Sequence, residues 1–323
     1  MKRLLSLSVI FAVIATIALV WPTLLPYLNG GWFSIGQFLA DHPSIILPVA
    51  ICLYISFAVC LGLFVILRMR SGTFIQVSSL YGLGGKSLKK MLNSRLISSR
   101  VATVEDNFSS DNPSKNEVNA NLNEIKTKLS SIETKRINYL AVAHIPLIVF
   151  AGAFIGNNGI KINYWYYQRS KRKAKRMPSF GKIKNNFSTS KEIEGTSDSL
   201  LLIVESTYNV DSITPKLYFD EMDRTRLVAK TIGIDSIKNE KTLLYMADQV
   251  RDELANISAK YREVHLILAA SAPLCFAIGQ SLNSTNMPAI FVYEYSKQCE
   301  ENRPWSIQAN PSGNNSYFRR TKN

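Results

Sequence analysis

Histidine is scarce in this 323-residue chain, which holds only His42, His144 and His265. Cysteine is scarce too, and Cys52, Cys60, Cys275 and Cys299 show no CxxC or other metal-ligand spacing. These shortages exclude a Cys/His metal site and leave any nucleophile without an acid–base partner. No catalytic residue, metal ligand or cofactor is therefore assigned, and the chain does not read as an enzyme. The same cysteine usage suits reduced thiols in a cytosolic compartment. Acidic residues are outnumbered, 24 Asp and Glu against 38 Lys and Arg, for a formal charge of +14. That balance predicts an anionic partner: a nucleotide, a nucleic acid or an acidic membrane surface.

Charge of either sign is absent from two long runs near the start. Leu4–Leu28 spans 25 residues and Ser44–Leu67 spans 24, each without a charged side chain. Either exceeds the roughly 20 residues that cross a hydrocarbon core. A signal peptide is the rival reading of the first run, but Trp21, Pro22 and Pro26 at its far end and the lack of a small-residue cleavage site favour a retained helix. Lys2 and Arg3 precede the first run, Arg68 and Arg70 follow the second, and the loop between has no Lys or Arg. The expectation is a transmembrane helical hairpin over 1–70, multi-pass, with both termini cytoplasmic. With no acidic or basic residue in either helix, the hairpin is a plain anchor or a device that acts on assembly, and nothing in it marks a proton relay.

Residues 71–135 read as a basic, polar juxtamembrane linker. The stretch "YGLGGKS" (81–87) resembles a phosphate loop, but a Walker motif needs Gly where Leu80 stands and no apolar strand is evident ahead of it. Lys86, Lys89, Lys90, Arg95 and Arg100 suit anionic lipid headgroups as well as a solvated helix face. Val118, Leu122, Ile125, Leu129 and Ile132 recur at helical spacing and predict one amphipathic helix.

From 136 to 310 the chain repeats itself. Shifting by 127 residues aligns Ala143 with Ala270, Pro146 with Pro273, Leu147 with Leu274, Gly152 with Gly279 and Tyr166 with Tyr293. In each copy a β-rich run ("NYLAVAHI", "VHLILAAS") meets a Pro, an apolar stretch with a central Gly follows, and a second β-rich run begins ("IKINYWYY", "AIFVYEY"). That order is a βαβ unit with Pro in the first helical turn. Strands apolar on both faces indicate a buried parallel sheet, and the mid-helix glycines are expected to let each helix lie close on its sheet. "LLLIVEST" (200–207) and "RTRLVAKTIG" (224–233) are further strands. A helix over 240–261 carries Leu244, Ala247, Val250, Leu254 and Ile257 on its apolar face. Residues 311–323 read as a flexible tail.

Two Rossmann-like halves about a pseudo-twofold place a ligand beyond the carboxyl ends of their strands. There the sequence puts His144, Tyr167, Arg169, Lys171, Ser206, Tyr208, Ser271, Tyr295 and Lys297. Arg169 and Lys171, with Lys297, are the candidate phosphate contacts; the other six are candidates for bases or ribose. From Lys161 to Lys191 there are ten basic residues and no acidic one, a run equally compatible with ligand and with lipid. His265, at the opposite end of its strand, reads as structural.

"YLAVAHIPLIVFAGAFIGNNGIKINYWYYQR", "LLLIVEST" and "VHLILAASAPLCFAIGQSLNSTNMPAIFVYEY" together resemble a SAVED domain, the sensor of bacterial CBASS antiphage systems. The resemblance covers about half of the chain, and in the first copy the basic run replaces a shorter connection. It implies an α/β domain of two fused CARF-like halves behind the hairpin, at the bacterial inner membrane. It further implies a cyclic oligonucleotide ligand, in the first place a cyclic trinucleotide, made by a CD-NTase. Head-to-tail stacking of SAVED domains into a homo-oligomer would then drive the hairpins to disrupt the membrane; no nucleic-acid polymer is expected as partner. Two other readings stay open on the residues alone: a membrane-anchored basic regulator that holds nucleic acid or anionic lipid, and a small ligand-gated channel.

Overall fold

The computed structural model describes residues 73–78, 101–105, 108, 113–132, 136–156, 159–168, 173–193, 195–210, 219, 222–282, 287–294, 305–311 and 318–320. Both apolar runs of the expected hairpin lie outside the described residues, among which no helix is long and apolar enough to cross a membrane.

The first half runs β1 (Thr73–Ser78), β2 (Val101–Glu105), α1 (Lys115–Ser130), β3 (Arg136–Val142), α2 (Ile145–Ile155), β4 (Lys161–Gln168) and β5 (Lys173–Arg176). The second runs β6 (Phe187–Ile193), β7 (Ser199–Glu205), β8 (Asp223–Ala229), α3 (Glu240–Ile257), β9 (Glu263–Ala269), α4 (Ala272–Ser281), β10 (Ala289–Tyr293), β11 (Trp305–Gln308) and β12 (Phe318–Arg320). Each half has its own sheet, in the order β2-β1-β3-β4-β5 and β12-β11-β10-β9-β7-β8-β6. Strands β2, β1, β3 and β4 are parallel, as are β8, β7, β9 and β10. The edges are antiparallel: β5 on β4, β6 on β8, and β11 with β12 beyond β10.

The two βαβ units expected from the repeat are β3-α2-β4 and β9-α4-β10. Their helices are apolar all round, as a helix without a wet face must be. Residues 146–152 of α2 and 273–279 of α4 are all buried. The glycines have a different task from the one expected of them. A Cβ on Gly152 would stand 2.2 Å from the Phe276 carbonyl oxygen, and one on Gly279 would stand 2.1 Å from that of Val149. They bring the two helices against each other, not each helix onto its sheet. The contacts repeat the 127-residue shift, since Phe276 is the counterpart of Val149 and Gly279 of Gly152. The pseudo-twofold axis therefore passes through the crossing of α2 and α4.

Packing across this crossing makes one core of both halves. Tyr139 on β3 stacks on Phe276 of α4 with ring centroids 3.6 Å apart, and the Tyr164 hydroxyl on β4 donates to Gln280 Oε1 at 2.7 Å. Helix α1 starts at a capping box, in which the Ser114 amide donates to Glu117 Oε2 at 2.6 Å and the Glu117 amide to Ser114 Oγ at 3.3 Å. Its buried stripe, Val118, Leu122, Ile125 and Leu129, is the one the spacing predicts. Helix α3 is capped by Asn239, which accepts from the Thr242 amide at 2.9 Å. Its buried face is centred on Leu243, Met246, Val250 and Leu254. Leu244, expected on that face, is 41% exposed because Met246 pulls the centre of the stripe the other way.

Six strands stand where none was expected: β1, β2, β5, β6, β11 and β12. Strands β1 and β2 fall within the segment read as linker, so a strand does precede "YGLGGKS". Its six residues "TFIQVS" mix polar and apolar types too evenly to stand out. The basic run holds β5, which folds back along β4 and pairs Trp165 with Arg176. Residues 318–320, placed in the flexible tail, form β12 on the edge of the second sheet.

Candidate ligand site at the strand ends

All eight parallel strands point their carboxyl ends the way their βαβ connections require, and both crossover helices begin there. Ser206 and Thr207 follow β7; their amides donate to the Ala269 carbonyl at the end of β9, both at 2.9 Å. The next residue but one, Ser271, is the N-cap of α4. It makes no side-chain capping bond, although an N-cap serine ordinarily does. The hydroxyls of Ser206 and Ser271 are buried, and neither has a hydrogen-bond partner among the described residues. Each leaves a donor and an acceptor unused beside a helix N-terminus, where an anion is favoured.

The loop carrying these groups is held rigidly. Buried Glu205 accepts from the Val210 amide and from Arg226 Nη1, the latter at 2.6 Å, while Arg226 Nε donates to Glu192 at 2.6 Å. The Ser206 carbonyl accepts from the Gly233 amide and from Ser236 Oγ, both at 3.0 Å, so the turn after β8 closes the same edge. Tyr208 protrudes from this loop with 42% of its surface exposed.

The first half is arranged differently at the corresponding place. His144 precedes α2 without a side-chain cap, and its ring packs beside Phe108 at 5.2 Å and Trp305 at 5.7 Å. Its Nδ1 lies 3.2 Å from Glu294 Oε1, and the Ile145 amide donates to Glu294 Oε2 at 2.9 Å. Glu294 is the first residue beyond β10, so a carboxylate of the second half sits on the helix N-terminus of the first. Burial, and after it the charge of Glu294, pushes the Cys275 thiol far above its ordinary range.

Of the nine residues expected at the site, His144, Tyr167, Ser206, Tyr208 and Ser271 are described. Ser206 and Ser271 flank the adjoining ends of β7 and β9, while His144 is engaged by Glu294. Tyr167 lies half-buried near the end of β4, opposite Ala174 of β5. Arg169, Lys171, Tyr295 and Lys297 lie outside the described residues. The sequence reading missed Glu294, Phe108 and Trp305. A carboxylate just beyond a strand in so basic a chain was a legible signal for the first; the aromatic pair converges only in three dimensions. His265, read as structural, is buried with its Nδ1 2.8 Å from the Tyr293 hydroxyl. No cluster of three metal-ligating side chains occurs among the described residues.

Two fused βαβ halves, with Glu294 at the end of β10 meeting the start of α2, make an α/β domain with a candidate ligand site at its strand ends. Residues 122–308, more than half of the chain, match the family described as the SMODS-associated and fused to various effectors sensor domain, so the chain belongs to the SAVED family. Among solved structures it is similar to the Acinetobacter baumannii Cap4 SAVED/CARF-domain containing receptor with the cyclic trinucleotide 2'3'3'-cAAA. The TM-score is 0.51 at 10% identity, over 82% of this chain and 53% of that one. For the same receptor with 3'3'3'-cAAA the TM-score is 0.50 at 11% identity, over 71% and 50%. The likeness is one of fold, and the chain spans about half the length of these relatives. No curated sequence matches it.

Proposed function

We propose that this protein is a membrane-bound CBASS effector that senses a cyclic oligonucleotide, in the first place a cyclic trinucleotide, made by a CD-NTase. The observation that carries this reading is the convergence of two βαβ halves on one edge where buried hydroxyls lie unused beside a helix N-terminus. Membership of a sensor family supports it, as do the cyclic trinucleotides bound by relatives of the same fold. Ser206, Ser271, Tyr208 and Tyr167, with His144 and Tyr295, meet bases and ribose; Arg169, Lys171 and Lys297 meet phosphates.

Ligand binding is coupled to output by differential affinity. Taking an assembly from 1% to 99% requires about 5.5 kcal/mol of preference for the assembled form. Two to four charge-assisted hydrogen bonds of about 1.5–3 kcal/mol each supply that, provided they form fully only in the assembly. SAVED domains stacking head to tail form an open-ended contact that grows without closing. The hairpin over 1–70 is thereby concentrated in the inner membrane and disrupts it, with both termini on the cytoplasmic side.

The test is dye release from vesicles of phosphatidylethanolamine and phosphatidylglycerol carrying the full-length protein, with cyclic di-, tri- and tetranucleotides added singly. Release with one ring, accompanied by growth in particle size, is expected. A ring that binds without release or growth would remove the membrane-disrupting arm of the proposal.

A further inference from the structure

The two ends of the pseudo-twofold are not equally prepared for a ligand. At the second-half end, Ser271 caps α4 with an unused hydroxyl and Ser206 offers another, fully buried. At the first-half end the same position is filled from within the chain. Glu294, only 8% exposed, accepts the Ile145 amide hydrogen bond and faces the His144 ring. Helix α2 has no acidic residue in its first turn and no side-chain cap of its own, so this carboxylate is the anion that its N-terminus receives.

The 127-residue shift makes the contrast specific. His144 corresponds to Ser271, and Glu294 corresponds to Tyr167. Where the first half contributes a tyrosine near the end of β4, the second contributes a carboxylate just beyond β10. Glu294 is fixed at its backbone as well, its amide donating to the Trp305 carbonyl at 3.0 Å. It is thus built into the second sheet while its side chain is spent on the first half.

We propose that Glu294 is an internal occupant of the anion seat on α2, which makes the clamp unequal: a ring phosphate is received freely beside Ser206 and Ser271 but reaches α2 only by displacing Glu294. This rests on the cyclic-oligonucleotide reading and concerns how that ligand is selected. The carboxylate holds the halves together at one strand end without ligand and repels a phosphate that approaches. It sets a threshold on ligand affinity, and its displacement releases a contact between the halves.

The experiment measures affinities of full-length wild type, Glu294→Gln and Glu294→Ala for the adenine and guanine cyclic dinucleotides, 2'3'3'-cAAA, 3'3'3'-cAAA and cyclic tetraadenylate. Both variants remove the charge, so either one that folds reports the same sign. At least tenfold tighter binding of one ring by a folded variant is expected, and binding seen only in a variant would support the proposal equally. A ring bound by wild type with unchanged or lower affinity in the variants overturns the occupant role and leaves the sensor reading standing. No ring bound by any of the three proteins overturns both.

Discussion

Replacing Gly152 by alanine sets two known effects against each other. In a helix held by nothing else, Gly→Ala stabilises by about 1 kcal/mol. At this crossing the added methyl would stand 2.2 Å from the Phe276 carbonyl oxygen, 3.0 Å from the Gln280 amide nitrogen and 3.1 Å from the Gly279 Cα. All three are backbone atoms of α4, so no side chain can swing aside, and the helices must part by on the order of 1 Å to restore contact near 3.3 Å. Parting them loosens an interior packed at crystal-like density, at a cost of about 1–3 kcal/mol or more for overpacking of this kind. The expected net effect is destabilisation by about 1–2 kcal/mol, or several degrees in melting temperature. Gly279→Ala meets the Val149 carbonyl in the same way and has the same sign. Because both methyls press on one crossing, the double variant is expected to lose less than the sum of the two. Melting of the purified full-length protein, followed by circular dichroism, reads all three. A Gly152→Ala protein as stable as wild type, or more stable, would refute the close crossing and with it the placement of the pseudo-twofold.

Other outcomes follow from the same contacts. Removing both hydroxyls in Ser206→Ala, Ser271→Ala leaves stability unchanged or slightly raised, since neither hydroxyl has a partner among the described residues, while ring affinity falls by about tenfold or more; melting and titration calorimetry on one sample separate the two effects. Arg226→Ala strands the buried Glu205 carboxylate and is expected to cost about 3–5 kcal/mol in denaturant unfolding. Asp223 is opposed by burial, yet hydrogen bonds from Lys260, Tyr261 and the Gly195 amide outweigh it and hold its carboxyl below the usual range. Its folded pKa being lowered, the stability it contributes is present above the unfolded value near 4 and is lost as pH falls through the folded one. Asp223→Asn is therefore less stable than wild type at pH 7, and the gap narrows on acidification; a gap that does not narrow as the pH falls below the unfolded value would contradict the assignment.

What could be read in the sequence was whatever repeats or alternates locally. The shift of 127 residues exposes the two βαβ units because each has to begin its helix at a proline and to carry a glycine at the same turn. The reason for the glycines was hidden, since helix-to-sheet and helix-to-helix approach leave the same mark on a chain. Strands β2, β5, β6 and β12 escaped notice because edge pairing asks little of side chains: "KAKR" and "FSTSKEI" are polar and are held by backbone ladders to β4 and β8. Ser206 and Ser271 could be placed from strand ends alone. Glu294 could not be assigned its partner, because its contact with Ile145 spans 149 positions and depends on how the halves cross.

The central claim is that the two halves form one clamp for one ring. Titration calorimetry of the full-length protein in detergent, with the same panel of cyclic di-, tri- and tetranucleotides, tests it most directly. The account predicts that one ring binds at one molecule per chain and that the Ser206→Ala, Ser271→Ala protein loses it. Two rings per chain, or none from the panel with the protein shown to be folded, would contradict it.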